Sequence, residues 1–350
     1  MREINPTTID AALTELVDEH PASLVQAVAK RLDISRPTVL KRVRALIDEG
    51  YLVRSGGKTR PFYRKGLSKR ASFEYDRAGL AEDRVWSRDV APLLQEVPDN
   101  VIEIAHHGLT EMVNNAIDHS IGTRVTVYVD RDRAGLTMRV SDNGVGIFRK
   151  ITDALDLPDE RLALLELSKG KLTTDPSRHS GEGIFFTSRM FDRFQIWSGE
   201  LVFDHDHEEG DDLLFERSAP KSGTTVHMEI GVASVRNIAD VFGAYSSGPD
   251  DYSFARTVVP VRLARVGGEN LVSRSQAKRL MQRVDRFRIV MLDFEGVERI
   301  GQAFADEIFR VFANAHPDVE LIPCHAVPEV QQMIRRAEVL RDEEALRTGR

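Results

Sequence analysis

Several features that would direct this chain to a particular class are scarce or missing. Cys324 is the one cysteine among 350 residues, so no disulfide can form within the chain. No apolar run approaches the length of a membrane span, and five carboxylates in the first twenty residues are unlike a signal peptide. The net charge is −7, which gives no whole-chain indication of nucleic-acid binding. We therefore expect a soluble cytoplasmic protein without membrane contact, whose charge must be examined locally.

The composition that remains is that of a globular protein with several domains. Apolar residues make up 41% of the chain and charged residues 29%, which is enough to bury cores and keep a solvated surface. A length of 350 residues suits two or three domains. We expect a multidomain α/β (α+β) protein.

The first domain is predicted to be three helices followed by a hairpin. Apolar spacing favours helices over residues 7–18, 22–32 and 35–49. Ser35 is a good N-cap for the third helix, and Pro37 lies early in that helix, where proline is tolerated. Residues 51–54 alternate like a strand, and 58–63 could return beside it. This order resembles a winged helix-turn-helix, and we assign it to residues 1–69.

Charge in this first domain differs from the rest of the chain. Between residues 30 and 70 there are 13 Lys or Arg and 3 Asp or Glu, a local excess of ten positive charges. A recognition helix and a basic wing need such an excess to neutralise phosphates, so the pattern predicts DNA binding. A protein-docking module is the alternative. The predicted DNA contacts are Thr38, Lys41, Arg42 and Arg44 on the third helix, and Lys58 and Arg60 on the wing.

The next domain is built around a helix that carries polar side chains on one face. Residues 70–98 are predicted to be a connector, after which a helix includes Glu111, Asn115 and His119 at steps of four. A carboxylate and a carboxamide one turn apart suit a base and a ligand for Mg²⁺, a cation that prefers oxygen and usually arrives with phosphates.

Three glycine-containing segments follow this helix. A hairpin over 124–140 leads directly into Ser141-Asp-Asn-Gly-Val-Gly-Ile147. Residues 148–180 are polar and are predicted to be a functional lid or disordered, and they lead to Ser180-Gly-Glu-Gly-Ile184 before another helix. Glycine amides at a helix N-terminus form an anion site. An acidic run over 204–212 is predicted to be a solvated turn, and a strand over 221–230 ends the domain.

These boxes occur in the order and spacing of the GHKL ATPases, which include gyrase B, Hsp90, MutL, histidine kinases and anti-sigma-factor kinases. The boxes are Glu111-xxx-Asn115, Asp142-x-Gly144-x-Gly146, Gly181-x-Gly183 and Gly223-Thr224. The similarity covers about 90–232, and we assign the domain to 99–232. It implies a Bergerat-type ATP-binding α/β sandwich with ATP and Mg²⁺ as cofactors. The chain has no Gly-x-x-x-x-Gly-Lys-Ser/Thr motif, so a P-loop is excluded.

The resemblance also implies a role for each residue. Glu111 would orient or deprotonate the attacking group, and Asn115 would bind Mg²⁺. Asp142 would accept a hydrogen bond from the adenine amino group, with Thr224 supporting the pocket. The glycines expected beneath the base or over the phosphates are Gly144, Gly146, Gly181 and Gly183. From the lid, Lys169 and Lys171 are predicted to neutralise phosphate charge, although an exposed basic loop is the alternative.

The last part of the chain alternates strands and helices. Residues 233–257 are predicted to be a linker and 258–350 an α/β domain, with strands near 288–294 and 320–323. The run Asp293-Phe-Glu-Gly-Val-Glu-Arg-Ile300 before a helix resembles the STAS domains of anti-sigma-factor antagonists. Those antagonists carry a phosphorylatable hydroxyl at the helix start, whereas residues 301–304 here contain none. We expect this domain to bind a protein partner.

Together these features predict a transcriptional regulator in which ATP-Mg²⁺ controls binding to DNA or to a partner. Two alternatives are a serine/threonine protein kinase of the anti-sigma-factor type and a slow ATPase whose homodimerisation is driven by ATP. A histidine kinase is disfavoured, because His106 and His107 lie on the Glu111 helix itself and no separate dimerisation helix precedes it.

Overall fold

The computed structural model describes residues 5–57, 60–66, 69–172, 181–207, 211–246, 253–265 and 270–348. Within these residues the chain forms a helical N-terminal domain with a hairpin, a central domain with an antiparallel sheet, and a C-terminal domain with a parallel sheet. The predicted multidomain α/β architecture is confirmed. None of the helices in these ranges combines the length and the apolar character that a membrane crossing needs.

The N-terminal domain contains three helices and a two-stranded antiparallel hairpin. Its elements are α1 (Pro6–Leu16), α2 (Leu24–Leu32), α3 (Arg36–Asp48), β1 (Leu52–Gly56) and β2 (Pro61–Lys65). The side chain of Ser35 caps α3 by accepting a hydrogen bond from the amide of Thr38 at 3.3 Å, as its N-cap position predicts. Val39, Val43 and Leu46 are fully buried against α1 and α2.

The central domain is a five-stranded antiparallel sheet with helices packed on one face. Its strands lie in the order β3-β4-β5-β7-β6. Inward side chains such as Val125, Val127 and Val129 alternate with half-exposed ones, which is the period of two expected for a sheet covered on one side. The elements are β3 (Lys69–Asp76), α4 (Glu82–Arg84), α5 (Asp99–His119), β4 (Arg124–Arg131), β5 (Gly135–Asp142), α6 (Ile147–Leu155), α7 (Arg161–Lys169), α8 (Gly183–Met190), β6 (Arg193–Asp206) and β7 (Asp211–Gly231).

Residues 70–98 are not the irregular connector that the sequence predicts. Strand β3 pairs with the whole length of β4 and forms one edge of the sheet. Its residues alternate between half-buried and exposed without a strongly apolar face, so the hydrophobic pattern gives little sign of a strand. The helical segment that follows begins at Glu82 and continues through a π-helical turn (Val85–Val90).

The predicted lid over residues 148–180 is also wrong for most of its length. Helices α6 and α7 occupy residues 147–155 and 161–169, and the run Leu162–Leu165 is fully buried. The apolar residues of α7 are buried on all sides of the helix, so α7 belongs to the core. The charged residues at its ends made the segment look polar in sequence. Residues 173–180 lie outside the described part of the chain.

The acidic run 204–212 belongs mainly to a long hairpin. Strands β6 and β7 pair from Arg193 to Asp206, with a bulge at Gly199. Asp204, His205 and Asp212 are all buried, in contrast to the predicted solvated turn. Asp204 accepts from Arg193 at 2.7 Å, and His205 pairs with Asp212 at 2.7 Å. Buried carboxylates therefore persist in this hairpin because each has a hydrogen-bonding partner.

The C-terminal domain is a three-stranded parallel sheet in the order β10-β9-β8, flanked by helices. The predicted linker 233–257 contains helix α9 and the start of β8, so it is only partly irregular. The elements are α9 (Ile238–Ala244), β8 (Arg256–Pro260), α10 (Arg274–Met281), β9 (Ile289–Asp293), α11 (Gln302–Asp306) with a π-helical turn (Glu307–Phe312), α12 (Ala313–Ala315), β10 (Glu320–Cys324) and α13 (Pro328–Thr348).

The three domains make different kinds of contact. One cluster of buried apolar side chains includes residues from both the central and the C-terminal domain, the first being Val85 and the last Ala337. The two domains therefore share a core. The N-terminal domain has its own core and meets the central domain through polar contacts. At this meeting the guanidinium of Arg133 lies 4.6 Å from the ring centre of Tyr51 and pairs with Glu49, while buried Arg131 donates to the Tyr51 hydroxyl at 3.2 Å.

Candidate functional site

A cavity of about 310 Å³ opens between α5, the end of β5, β7 and the start of α8. Seven of the ten residues predicted for the nucleotide site line it, although they come from four separate segments of the chain. They are Glu111, Asn115, Asp142, Gly146, Gly181, Gly183 and Thr224. The cavity combines this polar set with an apolar wall, which is the usual composition of a small-molecule site.

Helix α5 supplies the two side chains predicted for the chemistry. Glu111 and Asn115 are one turn apart, and the buried Met112 and Ala116 hold this turn against the core. A Cβ at Gly183 would collide with the carboxylate of Glu111, so this carboxylate lies directly at the N-terminus of α8. The carboxylate of Glu111 therefore lies where the helix amides would hold an anion. Asn115 lines the same cavity, and its carboxamide supplies an oxygen donor of the kind that fits Mg²⁺.

Asp142 ends strand β5 with its carboxylate directed into the cavity. Its Oδ1 accepts from the amides of Gly144 at 2.8 Å and Thr224 at 3.3 Å. Burial raises the pKa of this carboxyl above its usual range, and the bonds from Gly144 and Thr224 oppose that rise. The hydroxyl of Thr224 in turn accepts from the amide of Ile147 at 3.0 Å. Thr224 thus connects β7 to both sides of the loop, which agrees with its predicted supporting role.

Gly144 was predicted to lie against the nucleotide, but it does not line the cavity. A Cβ on this residue would collide with the carbonyl of Ser120 at the end of α5, and the next amide, that of Val145, donates to the same carbonyl at 3.0 Å. The glycine is therefore needed for close approach of two backbone segments rather than for ligand contact. Gly146, with φ of 92°, does reach the cavity wall.

The two predicted lysines also lie elsewhere. Lys169 is 1% exposed, pairs with Glu166 at 2.6 Å, and donates to the carbonyls of Arg279 and Gln282. Lys171 donates to the carbonyl of Arg286 at 3.1 Å and lies over the ring of Phe287. Both ammonium groups are used at the C-terminal domain, and for both burial is the main cause of a lowered pKa. The prediction that they neutralise phosphate is not supported by these positions.

Sequence reasoning missed one cation in the cavity, Lys150. It lies on α6, one turn after Gly146, and its Nζ donates to the carbonyl of His119 at 2.7 Å. Burial lowers its pKa, and Asp118 partly opposes the shift. The signal available in sequence was its helical spacing of four from Gly146, which places both on one side of α6. The missed apolar wall comprises Met112, Ile147, Ile151, Leu172 and Ile184.

Comparisons with known proteins support the same division of the chain. Residues 100–234 match the family described as histidine kinase-, DNA gyrase B-, and HSP90-like ATPase. The central domain is similar to these ATPases. Residues 8–53 match winged helix-turn-helix DNA-binding domains, and 276–331 match a STAS-like domain of unknown function. A comparison with curated proteins found no match. The predicted succession of winged helix, GHKL-type and STAS-like domains is confirmed, and supports a DNA-binding, ATP-binding regulator in general.

Within the winged helix, the predicted DNA contacts differ in availability. Lys41, Arg44 and Arg60 are exposed, as is Thr38, whose hydroxyl lies 2.8 Å from that of Ser35. Arg42, predicted as a reader, instead makes a two-bond ion pair with buried Asp10 on α1 at 2.8 and 2.5 Å. Its guanidinium holds α3 to α1 and is not directed outward. Lys58 lies outside the described residues.

The position of Asp142 gives a prediction for pH. Its ionised form is a strong acceptor for an adenine amino group, whereas protonation of the oxygen that faces this group turns it into a donor. Because its pKa is raised, adenosine affinity should be full at neutral pH and fall on acidification sooner than an ordinary aspartate would allow. NMR titration with adenosine avoids phosphate groups, which themselves titrate at about pH 6. Asp142→Asn should bind weakly at every pH. An affinity that falls only in the pH range of an ordinary aspartate, or that does not fall on acidification, would contradict the assignment.

Proposed function

We propose that this protein is a transcriptional regulator whose ATPase-like domain binds ATP-Mg²⁺ and thereby changes the affinity of its winged helix for DNA. The observation that carries the proposal is the convergence of seven residues from four segments on one cavity. Asn115, with Glu111 beside it, would hold Mg²⁺; the ion would neutralise phosphate charge. Asp142 would orient the adenine, and the amides of α8 would receive the phosphates.

A direct path connects the cavity with the winged helix. Strand β5 carries Asp142 at its C-terminal end, and its neighbour β4 ends at Arg131, next to Tyr51. The eight residues of β5 span about 25 Å. Strand β3 continues this route, since it follows the wing in sequence and pairs along β4. A shift of β3 and β4 on nucleotide binding would therefore move the base of the wing and Glu49, which follows α3.

The test is the affinity of the full chain for DNA with and without ATP-Mg²⁺. Genomic fragments selected by the protein at low salt serve as the probe, and affinity is followed by fluorescence anisotropy. We expect binding to weaken steeply with salt, because phosphate contacts release counterions. We expect ATP-Mg²⁺ to change the affinity by about fivefold or more, the lower end of typical coupling. No retention of any fragment, with or without nucleotide, would contradict DNA binding.

Two variants separate the parts of this proposal. Arg44→Ala removes an exposed cation of α3 and should weaken DNA binding, whereas Arg31→Ala on α2, whose side chain pairs with Glu15, should not. Asp142→Asn should retain DNA binding and lose the response to ATP. A response that persists in this variant would place the nucleotide effect outside the cavity.

Phosphoryl transfer and ATP-driven homodimerisation are further proposals that rest on the family similarity. Incubation with labelled ATP distinguishes a protein kinase from an ATPase. Label on a protein partner of the STAS-like domain favours a kinase, and free phosphate favours the ATPase whose homodimerisation ATP would drive. The burial of His107 agrees with its not being a phosphoacceptor, whereas His106 is exposed. His107 is largely buried, which lowers its pKa, and the ring of His106 stacks on Trp86 at 4.5 Å.

A further inference from the structure

The C-terminal, STAS-like domain contacts two of the helices that border the nucleotide cavity, α7 and α8. Helix α7 packs against β8, and its last residue, Lys169, accepts through its carbonyl a 2.7 Å hydrogen bond from the buried hydroxyl of Thr257. The shared apolar core shows that this is a permanent interface. None of these contacts involves a residue assigned to the nucleotide.

A buried ion cluster links the two domains across this interface. Glu166 on α7 is 2% exposed and accepts from Lys169 at 2.6 Å and from Arg283 of the C-terminal domain at 2.8 Å. Two cations share one carboxylate, and Lys169 completes its bonding on two carbonyls of the C-terminal domain. Because each buried charge needs its partners, α7 cannot move independently of residues 279–283 without leaving a charge unpaired.

The same arginine reaches the edge of the cavity. Arg283 also donates to the carbonyl of Lys171 at 2.5 Å, and the next residue, Leu172, lines the cavity. Both Arg283 (φ 65°) and Lys171 (φ 51°) adopt the left-handed conformation that non-glycine residues rarely take. The amide of Leu172 donates to the carbonyl of Gly181 at 3.0 Å, so this contact continues to the residues before α8.

Aromatic packing connects the C-terminal side to α8 as well. Phe254, just before β8, contacts Phe185 and Phe186 on α8 with ring centres 4.5 and 4.8 Å apart. A Cβ on Gly170 would collide with the ring of Phe254, which shows how closely α7 meets this cluster. Helix α8, whose N-terminus lies beside Glu111, therefore packs against residues next to β8 of the C-terminal domain.

We propose that the STAS-like domain regulates the nucleotide site in cis, through Arg283 and the segment Lys171–Leu172, and reports nucleotide occupancy in return. A protein partner that moves residues 279–286 would change nucleotide affinity, and nucleotide would stabilise the same residues, because coupling between two sites is reciprocal. The proposal rests on nucleotide binding in the cavity.

The test compares ADP affinity of the full chain with that of Arg283→Met by calorimetry. Losing the bonds to Glu166 and Lys171 should loosen the cavity wall at Leu172 and weaken ADP binding by about fivefold or more. Arg310→Met is the matched control, since Arg310 is similarly half-buried in ion pairs with Asp306 and Glu344 inside the C-terminal domain. Arg310→Met should lower the melting temperature about as much as Arg283→Met does, and should leave ADP affinity unchanged.

A second measurement uses the unmodified protein, in case Arg283→Met does not fold. Hydrogen exchange of residues 274–286 should slow when ADP is added, and this protection should disappear in Asp142→Asn. Affinity of Arg283→Met within twofold of wild type, tighter binding, or unchanged exchange in 274–286 would each overturn the proposal. Failure of the wild-type protein to bind ADP at all would instead overturn the nucleotide-binding function.

Discussion

Replacement of Glu111 with alanine is expected to abolish ATP turnover while leaving nucleotide affinity almost unchanged. The carboxylate lies at the N-terminus of α8, beside the place proposed for the phosphates, and Asp142, which we propose to hold the base, lines the same cavity. A general base acts in the chemical step, so its loss should lower kcat by about 10²–10⁴-fold. Removing a negative charge near phosphates should not weaken binding. Phosphate release and calorimetry measure the two quantities separately.

The control for this variant is Glu103→Ala. Glu103 lies two turns earlier on the same helix and is exposed, so its loss changes the charge of α5 without touching the cavity. It should leave turnover and affinity as they are. If Glu111→Ala lowered affinity and kcat to the same extent, Glu111 would be a structural residue of the α5–α8 contact. If the wild-type protein produced no phosphate, the cavity would act as a sensor alone.

Replacement of Gly144 with alanine is expected to disrupt the nucleotide site although Gly144 does not line it. The added methyl group would collide with the backbone of Ser120, and a backbone obstacle cannot rotate away as a side chain can. The loop would move off the end of α5 and displace Asp142, which accepts from the Gly144 amide. Overpacking of this kind costs about 1–3 kcal/mol. If this free energy is lost from nucleotide binding, ADP affinity should fall by roughly 5–150-fold.

Gly57→Ala is the matched control, because a Cβ there would meet no atom within 4 Å. It should change neither the melting temperature nor the affinity for ADP. We expect Gly144→Ala to lower both, as measured by calorimetry and thermal unfolding. An unaltered affinity with normal stability would show that the loop can shift without moving Asp142, and would contradict the support proposed here.

The order of the motifs was sufficient to predict most of the cavity. Glu111 and Asn115 share a helix turn, and Asp142 follows a strand with clear alternation, so local periodicity places them on these elements. The resemblance to GHKL ATPases implied that the elements meet at one site. Gly183 was predictable for the same reason, since it opens a helix. Spacing could not distinguish Gly144 from Gly146, because one glycine meets the backbone of α5 and the other the cavity.

The cationic residues show where sequence reasoning failed. Lys169 and Lys171 were expected at the phosphates, and Arg42 at DNA, because an unpaired positive charge attracts anions. In the structure Lys169 meets Glu166 and main-chain carbonyls, and Arg42 meets Asp10, thirty-two positions away in sequence. Lys150, which was not predicted, is the cation that lines the cavity. The availability of a charge depends on partners that the chain brings from a distance.

The sequence by itself determined the succession of three domains, the helices and strands with strong apolar periodicity, and most of the polar residues that line the cavity. These follow from local rules, since capping, alternation and glycine positions act over a few residues. Only the tertiary structure decided that β3 completes the central sheet, that α7 is a core helix, and that Arg283 connects the STAS-like domain to the cavity. Those outcomes depend on burial and ion pairing between distant segments, which are settled only when the domains pack together.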